Sequence, residues 1–238
     1  MKTYIWTLPT RIFHWLLVAG MVVAYLVAGE EDLLNIHSSV GYMIGVLIAF
    51  RIIWGFFGPK YSRFTDFSFG LKALKTFITD MKTSKSQHAG HNPGASFVMF
   101  GIIICTMLIV VSGALLLAAD GQGLFRSIQI GMSSDTLKEI HEIAVNIVIA
   151  LVILHLIGNT VDFIFNRQAG TLMSMFTGYK NMDAENASLN PFQKVLATVG
   201  IIAALVIVPY ALTTQKITPE TEKPGLQKNE NSGEEDDD

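Results

Sequence analysis

Apolar residues gather in five long blocks, over residues 12–28, 40–57, 97–119, 137–165 and 195–212, separated by short polar stretches. A helix rises about 1.5 Å per residue, so ~20 such residues cross a hydrocarbon core of ~30 Å. The blocks therefore predict five membrane-spanning helices and an all-α, integral-membrane bundle. The fourth block outruns the membrane and is expected to begin or end among the headgroups. The fifth is short and carries Pro209 near its end. Between the second and third blocks, Leu71, Leu74, Phe77, Ile78 and Met81 recur at helical spacing beside Lys72, Lys75, Lys82 and Lys85. A helix lying on the membrane surface with its lysines near anionic headgroups fits this pattern, and so does a solvated loop with some helix. Asn92 followed by Pro93 predicts the cap and first turn of the third span.

Charge orients the spans. If the amino terminus lies in the cytoplasm, twelve of the lysines and arginines fall on the inner side, among them Lys2, Arg11, Arg51, Lys60 and Lys180, against five on the outer side. That is the expected cytoplasmic excess. The turn Glu30-Glu31-Asp32 then lies outside, as does the end of the chain after an odd number of spans. Lys2 and Arg11 ahead of an apolar run also resemble a secretory signal. Cleavage would discard His14, so the first span is expected to be retained.

Composition narrows the class. Half of the 238 residues are hydrophobic, 16% are charged, and mean hydropathy is +0.43. A soluble domain carries about 25% charged residues. Residues 213–238 hold eight of the twenty acids but three of the seventeen bases, so the net charge of −3 divides into a body of +2 and a tail of −5. That tail lacks the apolar residues to fold alone and is expected to be a disordered, acidic periplasmic segment. The single cysteine, Cys105, excludes an internal disulfide, a four-cysteine iron–sulfur site and CxxCH haem attachment. Nothing in the charge pattern calls for nucleic acid.

Histidines carry the candidate chemistry. His14, His37, His141 and His155 lie in or at the ends of spans, where ionisable groups are costly and usually functional. His141 and His155 are fourteen residues apart. On a helix this is about 21 Å of rise and about 1400° of turn, so the two share one face within about 40°. Alternating span directions sort the four by depth, pairing His14 with His155 and His37 with His141. Two trans-facing imidazole pairs are what two bis-histidine haems require. One zinc ion would need converging ligands, which the separation forbids. Gly41 and Gly45 follow His37 on one face, where either a flat ring approaching the backbone or close helix packing fits. Arg11 and Arg51 either meet haem propionates or snorkel to the inner surface, the latter being slightly favoured.

At this point the residues resemble a known family. The run from Leu8 to Trp15, which contains Arg11 and His14, is similar to the opening of bacterial di-haem cytochromes b related to cytochrome b561 and to the b-type subunit of nickel–iron hydrogenases. His37 with Gly41-Tyr42, Arg51 through Trp54-Gly55, Gly90-His91-Asn92-Pro93-Gly94, His141-Glu142, His155 and Met175-Phe176-Thr177-Gly178 extend the likeness over residues 4–180. The resemblance implies a four-helix core with two non-covalent haems b, His14 and His155 holding the inner one and His37 and His141 the outer. It also implies an electron conduit between quinones and a redox partner.

The expected organisation is a di-haem domain over 1–180, an added span over 181–212 and the tail over 213–238. The fifth span and tail lie beyond the resemblance and serve either a partner interface or a plain anchor. The expected site is cofactor-binding at the four histidines, Arg11, Arg51, Gly41 and Gly45, with the histidines as metal ligands. Membrane lipid, quinone and a periplasmic c-type cytochrome or hydrogenase are the expected partners. An electron-transfer subunit is favoured over an independent catalyst. Rival readings are a stand-alone oxidoreductase acting on superoxide or quinol, and a haem-free transporter or structural bundle. His88 and His91 have the spacing of a metal pair but lack carboxylate or cysteine company, so His91 either touches a propionate, relays a proton for a quinone, or does neither. Asn159 and Asp162 either serve proton exchange with a quinone at the inner haem or are ordinary helix-exit residues, and the loop from Asp120 to Lys138 is a candidate docking surface.

Overall fold

The computed structural model describes residues 1–80, 88–129 and 131–217. Five long helices account for the apolar blocks: α1 (Leu8–Leu26), α2 (Leu34–Phe57), α4 (Pro93–Ala119), α5 (Ser134–Phe165) and α7 (Pro191–Thr214). All five are long and apolar enough to cross a membrane. The short α3 (Leu71–Asp80) precedes α4, and α6 (Thr171–Thr177) follows α5. Strand β1 (Lys2–Tyr4) pairs antiparallel with β2 (Tyr179–Asn181), Thr3 opposite Lys180. The helices begin several residues before their apolar blocks because caps belong to the polar flanks. Pro9 occupies the first turn of α1, and the Asn92 side chain accepts the Ala95 N–H at the start of α4. Large apolar side chains such as Val22, Ile104, Ile143, Ile153 and Ile202 point outward, which a lipid solvent favours and water does not. The protein is a membrane-embedded helical bundle.

Helix α2 is the hub. It packs against α1, α4 and α7, whereas α5 among the long helices packs extensively only on α4. Helix α7 lies antiparallel to α2 on a stripe of buried Ala197, Ala204 and Ala211, where small side chains let backbones approach. A capping box of Asn190 and Gln193 starts α7, and Gln193 Nε2 donates to the Phe57 carbonyl at 3.0 Å. At the other end Gln215 donates to the Asn35 carbonyl and to Ser39 Oγ and accepts from Ser38 Oγ. The fifth span is thus bound to the hub at both ends. The amino-terminal end of α1 marks the near end of the bundle. There Trp6 Nε1 donates to Ser174 Oγ, and Lys180 Nζ, buried beside the Trp6 ring, donates to the carbonyls of His88 and Gly90. Burial lowers the Lys180 pKa to about 8.

Trp54 closes the core at the near end of α2. It is 1% exposed, stacks on Phe50 at 5.3 Å and donates to Thr10 Oγ1 on α1 at 3.1 Å. Trp54→Ala removes that bond and leaves a cavity, with an expected cost of about 3–5 kcal/mol. Thermal unfolding in detergent, followed by circular dichroism, measures it.

Candidate functional site

At the far end, His37 on α2 faces His141 on α5 with ring centroids 6.3 Å apart. His37 Nδ1 lies 2.9 Å from the Ala24 carbonyl, and His141 Nδ1 lies 3.0 Å from the Ile109 carbonyl and 3.2 Å from Ser112 Oγ. A carbonyl only accepts, so each Nδ1 carries the proton and each Nε2 keeps its lone pair. A carbonyl holding the Nδ1 proton fixes the ring so that Nε2 is oriented for a metal. An imidazole bonded to a metal at about 2 Å has its centre about 1 Å farther out, so two trans ligands stand with centroids roughly 6 Å apart. The observed spacing matches.

The near end gathers His14 on α1 and His155 on α5, close enough to interact electrostatically. His14 Nδ1 is buried without a partner. His155 Nε2 accepts from Asn159 Nδ2 at 3.0 Å, so its lone pair is exposed to any ligand that displaces this amide. Six of the seven buried side-chain polar atoms without a partner among the described residues belong to this end: those of Arg11, His14, Arg51, His88, His91 and Asp162. Native interiors rarely leave such groups unmatched unless something else is meant to meet them.

Both pairs join α5 to helices it scarcely packs against, His141 to His37 of α2 and His155 to His14 of α1. A side chain on Gly41 would meet nothing within 4 Å, whereas one on Gly45 would come within 2.8 Å of Val110. The open space is at Gly41, and Gly45 is where α4 packs closely on α2. Arg51 corrects the expectation of a snorkelling side chain: it is 4% exposed, its guanidinium stacked over Phe64 at 5.1 Å. Arg11 donates through Nη1 to the Phe176 carbonyl, with Nε buried and unmatched. Phe77 of α3 meets the His88 ring, and burial holds the His91 pKa well below its usual value. Met81, Lys82, Lys85 and the acidic tail from residue 218 lie outside the described residues.

Gly113 was not visible as a site residue in the sequence. A Cβ there would stand 2.9 Å from His141 Cε1, so α4 offers this ring its seat. The signal that could have found it is the pair Ser112-Gly113, the one place in this apolar run where a hydroxyl residue and a glycine adjoin. Among the described residues no three histidine, cysteine, aspartate or glutamate side chains converge, so the donors come in twos. Two nitrogens do not complete a zinc site, whereas an imidazole pair would suit the iron of a haem.

The prokaryotic cytochrome b561 family matches this chain over residues 5–178. The chain belongs to that family. It is a multi-pass membrane b-type cytochrome, and the histidine pairs, their locked tautomers at the far end and the open face at Gly41 fit haem b. As a cytochrome b561 it is 28% identical over 145 residues to the probable nickel–iron hydrogenase 1 B-type cytochrome subunit of Escherichia coli K12, covering 50% of this chain and 62% of that protein. It is 22% identical over 211 residues to the probable nickel–iron hydrogenase B-type cytochrome subunit of Rhizobium leguminosarum bv. viciae, covering 74% of this chain and 88% of that one. No solved structure matches it. Helix α7 lies beyond the cytochrome b561 match.

Proposed function

We propose that this cytochrome holds two non-covalent haems b, one between His37 and His141 and one between His14 and His155, and conducts electrons across the bacterial cytoplasmic membrane. The observation that carries the reading is the far pair, two imidazoles on separate helices with Nδ1 locked on carbonyls and centres 6.3 Å apart. Iron that alternates between ferric and ferrous is the chemistry the bound group supplies. The chain's own part is to present Nε2 lone pairs, to fix ring orientation through Ala24, Ile109 and Ser112, and to keep water from the gap with apolar walls. At the near end the unmatched Arg11 Nε offers a donor to a haem carboxylate, and at the far level, one turn from His37, Gly41 leaves a flat group room beside α2.

The electron donors and acceptors in this reading are membrane quinone and a periplasmic redox protein. The names of the relatives favour a hydrogenase, and the acidic tail suits a lysine-rich c-type cytochrome. The lysine and arginine excess supports a topology with the near end in the cytoplasm and the tail in the periplasm. Residues 1–180 form the haem domain, and α7, strapped along α2, is an added support. A pyridine haemochrome assay on the purified chain tests the proposal. Two haems b per chain are expected, and a value of one or none would overturn it.

A further inference from the structure

We propose that the Arg51 guanidinium, with His91 beside it, receives a propionate carboxylate of the haem held between His14 and His155, an inference that rests on the function proposed above. Helix geometry supplies the first support. Arg51 follows His37 on α2 by fourteen residues, the interval that separates His141 from His155 on α5. Fourteen residues are about 21 Å of rise with the same face retained to within about 40°. Arg51 therefore stands at the near level, on the face by which α2 presents His37 to the gap. Helix α4 keeps the same interval: Met99, which meets Arg51, precedes Gly113, which seats His141, by fourteen.

The second support is an unmatched charge. Arg51 Nη1 is buried without a partner, and Nη2 finds only Met99 Sδ at 3.9 Å, a weak acceptor. The rings of Phe64 and Phe67 cover the guanidinium at 5.1 and 5.7 Å. Arg63 is already paired with Asp66 and Lys60 with Glu185, and Lys180 donates to the carbonyls of His88 and Gly90. Guanidinium does not lose its proton, so an isolated buried one is costly unless an anion joins it. Among the described residues no carboxylate, Asp162 included, stands within ion-pair distance of Arg51. His91 shares the place: its ring lies 4.6 Å from Phe67 and 4.8 Å from Trp6, and its Nδ1 is also buried and unmatched. A planar fork beside one ring nitrogen suits a carboxylate. The walls of Phe64, Phe67 and Met99 enclose it within the bundle, which favours a group carried in by the haem over a lipid headgroup.

The experiment is a redox titration, with resonance Raman spectra, of the full-length holoprotein and its R51Q, R51K, R63Q and H91F variants in phosphatidylcholine nanodiscs. Loss of the positive charge beside a propionate disfavours the ferrous state. R51Q should shift the ferric/ferrous equilibrium of one haem at least tenfold toward ferric, about 59 mV for one electron, and displace its propionate bending mode. R51K should restore most of the potential. R63Q, which removes the same charge from a pair satisfied by Asp66, should leave it unchanged. H91F, which keeps a ring against Trp6 and Phe67, should displace the propionate mode. An R51Q protein with two haems and unaltered potentials and Raman modes would overturn the inference while leaving the di-haem function intact. So would an unaltered propionate mode in H91F, or loss of the near haem from R51Q and R51K alike. A wild-type potential that depends on added phosphatidylglycerol would assign the guanidinium to a lipid phosphate and overturn it as well. A chain without two haems before any substitution would instead defeat the function proposed above.

Discussion

Alanine in place of His37 or His141 is expected to halve the haem content, from two per chain to one, and to leave the remaining haem with its wild-type potential. His14→Ala and His155→Ala should do the same to the other centre. The expectation follows from the two levels. The fourteen residues between His141 and His155 place them about 21 Å apart along α5, so a vacancy at one level removes no contact at the other. At the far level each ring has an independent hold, His37 on the Ala24 carbonyl and His141 on the Ile109 carbonyl and Ser112. Either replacement therefore deletes one axial nitrogen and leaves its partner oriented. Haemochrome stoichiometry gives the loss, and low-spin ferric signals in electron paramagnetic resonance identify which centre survives. Circular dichroism confirms that the helices persist. Loss of both haems from each single variant with helices intact would contradict separate sites.

Much of this arrangement is legible in the sequence because lipid imposes simple rules. A block of ~20 apolar residues has few alternatives to a spanning helix, and alternating directions then sort the histidines by depth. The cap at Asn92 is likewise legible, because a capping asparagine followed by a proline, which suits the first helical position, is a start signal within the chain itself. What escaped was everything set by contact between elements. Pairing of β1 with β2 joins residues near opposite ends of the family core, and no local pattern announces it. The placement of α7 on α2 depends on alanines spaced seven apart and on Gln215 reaching Asn35, Ser38 and Ser39. Each of these residues is ordinary alone. Arg51 misled because an arginine near a span end generally reaches for water. Its burial depends on Phe64 and Phe67, which the chain brings over it from the segment after α2. Lys180 shows the same limit: it counts toward the basic side, yet it is buried against the carbonyls of His88 and Gly90.

Gly113→Val is expected to expel the far haem without altering any ligand. A single added carbon would stand 2.9 Å from His141 Cε1 and 3.1 Å from Nδ1, closer than side-chain carbons normally approach, and valine adds two more. Overpacking of this kind costs about 1–3 kcal/mol. The gain from replacing a mid-helix glycine is at most about 1 kcal/mol, so the clash prevails. The ring can yield only by leaving the Ile109 carbonyl, which frees the imidazole from the orientation that points Nε2 at His37. Gly41→Leu provides the contrast. Nothing lies within 4 Å of its Cβ direction, so the added side chain enters open space and the polypeptide keeps its packing. Both variants should therefore lose a haem, but only Gly113→Val should also lower the thermal midpoint of the haem-depleted protein. Haem stoichiometry and unfolding temperature, measured together, separate a ring displaced from its seat from a ligand space that has been filled. Two haems retained in Gly41→Leu would mean that the space beside α2 is open to lipid rather than reserved for a flat group.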